Sequence, residues 1–276
     1  MLYCPFASGT SISLVDDLGR RVELEAPARR IVTLAPFLTE LVYSAGAGSR
    51  LVGVSAHSDY PPQARALPQV ASAAGLEIEP LAALGPDLVL AWQDSIRRED
   101  LQRLERLGMK VFVARAKRLE DPPRLAEAIA RLAGTDAAAT TRAYRERLRE
   151  ARAAHAARPR VRVFVEVWHQ PLTTIGGTHW INEALALCGA ENVFADMDAV
   201  APVVSWEELY RRDPDAIVGM PAREAPFRAA WAGRATLRAV AAGRFVLVDA
   251  DALQRPTLRL ADGVLALCRG LGRLGG

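Results

Sequence analysis

The chain has 276 residues, 50% of them hydrophobic and 24% charged, with a formal net charge of +3. That length suits one large or two modest domains with a sizeable core. Arginines interleave with Glu and Asp, and no basic run or aromatic-spaced basic stripe marks a nucleic-acid face. No apolar run reaches the roughly 18 residues of a membrane span.

The opening stretch, MLYCPFASGTSISLVDD, lacks a positive start and a full apolar segment, so it does not read as a complete signal peptide. Cys4 lacks the small residues that precede a lipidated cysteine, and the stretch reads as a signal remnant or a tail. Ile12 to Leu24 alternates apolar and polar around Asp17-Leu18-Gly19, which predicts a hairpin. Arg30 to Leu34 is a short apolar strand broken by Pro36, and Thr39-Glu40 opens a helix that stops at Gly46 and Gly48. Leu51 to Val54 is a strand ending in the polar loop Ser55 to Pro62. Ile78 to Leu84 is a short helix with Pro80 in its first turn, Asp87 to Trp92 a buried strand, Arg98 to Leu107 an amphipathic helix, and Lys110 to Val113 a strand. Strands alternating with helices imply a parallel sheet.

Thr135 to Ala157 contains no Gly or Pro and is rich in Ala, Arg, Glu and Leu, the strongest helix formers. As one helix it is a rod of roughly 34 Å. It reads either as a rigid connector between two lobes, with a ligand cleft between them, or as a surface helix of one large domain. Beyond it the pattern repeats. Val161 to Trp168 is a strand, His169 to Thr178 a Gly-Gly loop, Trp180 to Cys188 a helix, and Ser205 the N-cap of a helix to Tyr210. Asp215 to Val218 and Arg244 to Val248 are strands, and Leu258 to Leu271 closes the chain as a helix. Leu81 to Trp92 has a counterpart in Trp206 to Met220: each is a short helix, then Pro-Asp, then a buried strand. That echo favours two similar lobes.

No catalytic pattern is present. Gly46-Ala-Gly48 lacks the third glycine of a dinucleotide fingerprint and closes a helix, and there is no phosphate loop or GxSxG elbow. The histidines His57, His155, His169 and His179 form no HxxxH pair; His155 falls on the long helix, and His169 and His179 flank the Gly-Gly loop. Rings do gather at strand ends: Tyr60, Trp92 and Trp168. Open α/β sheets bind ligands at the carboxyl ends of their strands, and flat rings there suit a broad, partly apolar ligand, although each ring alone also reads as core packing. Asp251-Ala252-Leu253-Gln254-Arg255 follows the last strand, where its charged pair suits ligand hydrogen bonds or a plain surface ion pair. Cys188 and Cys268 read as two buried thiols or as a disulfide, which requires an oxidising compartment.

Ser58-Asp-Tyr-Pro-Pro-Gln-Ala64, together with Ile31 to Pro36, Thr39-Glu40-Leu41 and LAALGPDLVLAW, resembles the periplasmic cobalamin (vitamin B12)-binding proteins of bacterial ABC importers. These belong to the wider group of siderophore-, haem- and cobalamin-binding proteins with a single linker helix. The resemblance runs from about Arg29 to about Gly270. It implies an α/β fold of two lobes, each with a mostly parallel sheet: a tail and hairpin over 1–28, a lobe over 29–134, the linker over 135–157 and a lobe over 158–276. It implies a non-enzymatic, monomeric periplasmic protein that carries cobalamin or another corrinoid as cargo, with no cofactor or metal of its own and no nucleic acid. A haem or ferric-siderophore cargo on the same fold is the alternative; a cytoplasmic enzyme acting on a phosphorylated metabolite is the rival from another class.

The resemblance further implies that Tyr60 meets the corrin face and that Asp251 to Arg255 form a ligand-contacting loop; the strand-end rings Trp92 and Trp168, with Pro36, complete the candidate ligand set. Glu79 and Glu207 would dock on arginines of the permease, each also being placed to stabilise a helix dipole. Cys188 and Cys268 match the positions of a family disulfide. Two family tryptophans are missing: Ala71-Ser-Ala-Ala74 stands in one place and Val200 to Val204 in the other, with Trp168 and Trp180 as candidates to compensate.

Overall fold

The computed structural model describes residues 11–155 and 160–275. The reading of Cys4, and the predicted helix end at Ala156 and Ala157, lie outside them. The chain divides into two compact units, one holding the residues up to Arg115 with Pro122–Arg142, the other Ala116–Asp121 with the residues from Ala143 onward.

In the first unit, β1 (Ile12–Val15) and β2 (Arg21–Leu24) form the antiparallel hairpin, turning at Gly19 with φ of 78°. It is docked rather than loose: the Asp17 amide donates to Val113 O, and Arg124 pairs with the Asp17 carboxylate at 2.9 Å. Next in the chain is a six-stranded sheet, in the order β6-β5-β4-β3-β7-β8. Its strands are β3 (Ile31–Thr33), β4 (Leu51–Ser55), β5 (Gln69–Ser72), β6 (Gly75–Leu76), β7 (Leu88–Trp92) and β8 (Val111–Ala114), all neighbours parallel except β5 with β6. The helices are α1 (Pro36–Ser44), α2 (Ile78–Ala83), α3 (Arg98–Arg106) and α4 (Asp121–Ala133). Side chains alternate across the sheet. Val32, Val89, Val111 and Val113 pack with Leu81 of α2 and Leu104 of α3, while the intervening Ile31, Leu88, Leu90 and Phe112 are buried on the other face. Each such side chain stabilises by about 1.5–3 kcal/mol.

One expectation changes and one element is added. Pro36 starts α1 rather than only ending the strand before it, because its fixed φ and missing N–H suit the first helical turn. Helix α4 falls in a stretch to which the sequence reading assigns no element: both prolines sit in its first turn, and the Asp121 carboxylate accepts the amides of Lys117 and Arg118 at 2.8 and 2.9 Å.

The long helix α5 runs Ala138–His155, three residues later than expected at its start, where Asp136 Oδ1 accepts the Ala138 amide at 2.8 Å. The division between the units falls within it, at Arg142/Ala143.

The second unit is built on a four-stranded, all-parallel sheet in the order β10-β9-β11-β12: β9 (Val161–Glu166), β10 (Ala190–Asn192), β11 (Ala216–Gly219) and β12 (Phe245–Leu247). Helices α6 (Trp180–Leu187), α7 (Trp206–Arg212), α8 (Glu224–Trp231), α9 (Arg238–Ala241), α10 (Ala250–Gln254) and α11 (Leu260–Gly272) surround it. Val163, Val165, Ala216 and Val218 face α6 and α11, whereas Phe164 and Ile217 face Phe194, Leu209 and Trp231. The two cores therefore lie on opposite faces of one sheet. Cys188, closing α6, and Cys268, within α11, form a disulfide in the first of these cores. Gly176 and Gly177 are required by a close approach: a Cβ would lie 1.8 Å from Ala199 O at the first and 2.3 Å from Ala195 O at the second.

Among the described residues, no helix is long and apolar enough to cross a membrane.

Candidate binding surfaces at the strand ends

In each sheet the chain leaves the middle strand toward opposite sides. In the first unit β3 is flanked by β4 and β7; in the second β9 is flanked by β10 and β11. Such switch points open a crevice at the strand carboxyl ends. Each unit has a cavity there.

The first cavity, about 450 Å³, is bounded by Leu34 to Pro36 after β3, Ser55 to His57 at the end of β4, Ala71 to Ala74 at the β5 end, and Trp92, the last residue of β7. A buried hydroxyl chain shapes its wall. Thr33 Oγ1 lies 2.6 Å from Thr39 Oγ1, Thr39 donates to Ser58 Oγ at 3.0 Å, and Ser58 Oγ lies 3.2 Å from Ser55 Oγ. This chain ties the Ser58-Asp-Tyr loop to α1 and so sets where Tyr60 emerges. Buried polar groups need such partners, so the Thr39 and Ser58 positions have a physical reason to be what they are.

Pro36 and Trp92 do line this cavity. Trp92 meets Phe37 edge-on at 5.6 Å, and its indole Nε1 is buried with no hydrogen-bond partner among the described residues. Tyr60 is 43% exposed and lies outside the cavity lining.

The second cavity, about 610 Å³, is bounded by Glu166 to Gln170 after β9, Met220 to Arg223 after β11, and Phe227 and Ala230 of α8. Strand β9 ends at Glu166, so Trp168 lies beyond it, in a tight turn where Val167 N donates to Thr173 O and Thr173 N to Trp168 O. Trp168 is 65% exposed; its Nε1 is tied to Gln170 O at 2.9 Å.

Behind Trp168 is a polar group that the sequence pattern does not single out. Glu166 is buried, its Oε2 accepting from Trp231 Nε1 at 2.6 Å and its Oε1 lying 3.1 Å from His169 Nδ1. The His169 ring meets Trp206 at 5.6 Å and Trp231 at 5.7 Å, both edge-on. Burial pushes the Glu166 carboxyl above its usual range, opposed by His169 and by the Trp231 hydrogen bond. A glutamate within Val-Phe-Val-Glu-Val was the available signal, since a carboxylate in a buried strand requires a partner.

Asp251 to Gln254 lie in the short helix α10, with Arg255 as its C-cap, rather than in the expected loop; Asp249 caps the helix start, its Oδ1 accepting the Ala252 amide at 2.8 Å. Asp251 and Arg255 form an i,i+4 ion pair at 3.1 Å, the plainer of the two readings. Ala252 and Gln254 are half-buried, and Leu253 is fully buried in the core, so its side chain packs the fold instead of facing a ligand. None of the five lines the second cavity. Trp180 does not stand in for a missing ring: it is buried, and its Nε1 donates to Leu253 O at 3.1 Å. His179 caps α6 by accepting the Ile181 amide at 3.2 Å, and burial lowers its pKa to about 4.

Glu79 and Glu207 are both exposed, in the first turns of α2 and α7. Among the described residues, no cluster of three or more His, Cys, Asp or Glu side chains is placed to hold a metal ion.

The vitamin B12-binding protein of Vibrio cholerae serotype O1 is 35% identical to this chain over 244 residues, 88% of each. The crystal structure of the periplasmic vitamin B12-binding protein BtuF of Vibrio cholerae superposes with a TM-score of 0.83 at 34% identity, covering 90% of this chain and 98% of that one. The periplasmic haem-binding protein BhuT, in complex with two haems, superposes with a TM-score of 0.78 at 25% identity, covering 90% and 99%. The family model described as periplasmic binding protein matches residues 31–252, and the chain belongs to that family.

Proposed function

We propose that this chain is the extracytoplasmic solute-binding protein of an ABC importer, that it captures cobalamin or a related corrinoid in the periplasm, and that it delivers this cargo to the membrane permease. The observation that carries the reading is the likeness to vitamin B12-binding proteins along nearly the whole chain. The strand-end surfaces agree with it. A corrin is a broad disc with apolar faces and amide edges, and Trp92, Trp168 and Tyr60 offer flat rings at low entropic cost. Binding and release need no bond made or broken, and the family is one of substrate-binding proteins rather than enzymes. Cobalamin is thus cargo and not a cofactor. Glu79 and Glu207, one on each unit, are the carboxylates offered to cationic residues of the permease.

The test is a titration of the purified protein with cyanocobalamin, followed by tryptophan fluorescence. Saturable one-to-one quenching, weakened at least about tenfold by Tyr60→Ala with Trp168→Ala, supports the reading and its ring assignments. No saturable response would overturn it. The haem-binding structural likeness favours haem as the second reading, so haemin is titrated alongside.

A further inference from the structure

His169 is held in a way that a packing role alone does not require. Its Nδ1 faces the buried Glu166 carboxylate at 3.1 Å, and the other carboxylate oxygen is taken by Trp231 Nε1 at 2.6 Å. Two indoles, Trp206 and Trp231, fix the plane of the ring from the side. The ring lines the second cavity, and its Nε2 has no hydrogen-bond partner among the described residues. Nor is Nε2 among the buried polar atoms left without a partner, so it is open to solvent.

A carboxylate that takes the proton of one ring nitrogen leaves the in-plane lone pair on the other. This is the arrangement that orients metal-ligating histidines and raises their basicity. Imidazole is a good ligand for late first-row transition metals. Among the described residues no group of three or more His, Cys, Asp or Glu side chains is placed to hold a metal by itself, so a metal met here brings its other ligands with it, as the metal of a macrocycle does.

We propose that His169 is an axial ligand to the metal at the centre of the bound macrocycle, cobalt if the corrinoid reading above holds, with Glu166 as its positioning residue. The step is a ligand exchange. The Nε2 lone pair forms a cobalt–nitrogen bond, the axial water leaves, and the oxidation state of cobalt does not change.

The experiment uses a corrinoid that lacks its own nucleotide base, cobinamide, in two forms. The diaqua form has exchangeable axial positions; in the dicyano form cyanide fills both. Wild-type protein is expected to shift the visible absorption bands of the diaqua form and to bind it about tenfold or more tightly than the dicyano form. His169→Phe keeps a ring between Trp206 and Trp231 but has no nitrogen; it should bind both forms alike, with no band shift. Glu166→Gln should keep a reduced shift and lose about tenfold in affinity for the diaqua form only.

Identical spectra and affinities for wild type and His169→Phe would overturn the ligation. Cyanocobalamin separates the two levels. If it binds wild-type protein while the diaqua spectrum stays unchanged, only the axial ligand falls; if it does not bind, the corrinoid reading falls and cobalt with it. A His169-dependent band shift with haemin, and none with any corrinoid, would overturn the cobalt assignment.

Discussion

The two units use one device to build their sheets and different chemistry to finish them. In the first, Asp87 accepts the amides of Arg29 and Arg30 at 2.8 and 3.0 Å, and its own amide donates back to Arg30 O at 3.0 Å. In the second, Asp215 accepts the Arg162 amide at 3.1 Å and donates to Arg162 O at 2.8 Å. In both, an aspartate after a short helix clamps the start of the neighbouring strand. The Pro-Asp echo is therefore a shared structural part that fixes how adjacent strands pair at their amino ends. Beyond those strand ends the two units diverge. The first unit has small residues, Ala71 to Ala74, and a chain of hydroxyls; the second has indoles around a buried carboxylate and a histidine. The scaffold sets where a ligand is met, and the segments after the strands set how.

The disulfide is the sharpest difference in stability, because it lies within the second unit. It closes a loop with a sequence separation of 80, which in the chain-entropy model is worth about 4–5 kcal/mol. Cys188→Ser with Cys268→Ser should cost about 4 kcal/mol in urea denaturation. Trp92 is the one tryptophan of the first unit, and the other four report on the second. Fluorescence should therefore register the loss, whereas hydrogen exchange of β3 and β7 amides should not. Equal loss of protection in both units would mean that they unfold as one.

The same contrast explains what was legible in the sequence. Strands with strong apolar runs, such as Leu88 to Trp92 and Val161 to Glu166, announce themselves, as do helices closed by a glycine such as Gly108. Helix α8 was missed because Met-Pro before it and Pro226 within it read as breakers, and α10 because a turn-length helix has too little period to detect. The disulfide was open on spacing alone and came from the resemblance. Trp92 and Trp168 stood out because rings at strand ends have a position-specific meaning, and each lines a strand-end cavity. Glu166 was hidden by the apolar residues beside it; His169 follows it by only three residues, but Trp231, its other partner, comes from a distant segment that only folding brings close.

His179 separates the units by pH. Its folded pKa is lowered to about 4 by burial, against about 6.5 in an unfolded chain. Above pH 6.5 neither state holds the extra proton, and the contribution of the neutral ring is complete. As pH falls from 6.5 toward 4, the unfolded chain takes up a proton that the folded ring refuses, and stability is lost. With the ring partly exposed, the loss is about 2 kcal/mol. His179→Asn keeps an N-cap acceptor that does not titrate, so its urea midpoint should change less than that of wild type between about pH 7 and about pH 4.5. Parallel curves for the two proteins would remove His179 as the source.

The smallest effect concerns the docking carboxylates of the proposed handover. Glu79 shares its carboxylate with Arg103 at 3.2 Å, whereas Glu207 has no cationic partner among the described residues. Hydrogen bonds from its own backbone amide and from Ser205 hold Glu207 below the usual carboxylate range. A permease cation has to displace Arg103 at Glu79 but meets an unshared charge at Glu207. Glu207→Ala should therefore slow association with the permease severalfold more than Glu79→Ala, with the gap narrowing at high salt because both sites are exposed. Arg103→Ala should bring the two sites level by freeing Glu79. Equal effects of the two glutamate substitutions, unchanged by Arg103→Ala, would show that the intramolecular pair exerts no hold, and weakened cobalamin binding in either variant would move that carboxylate from the docking surface to the ligand site.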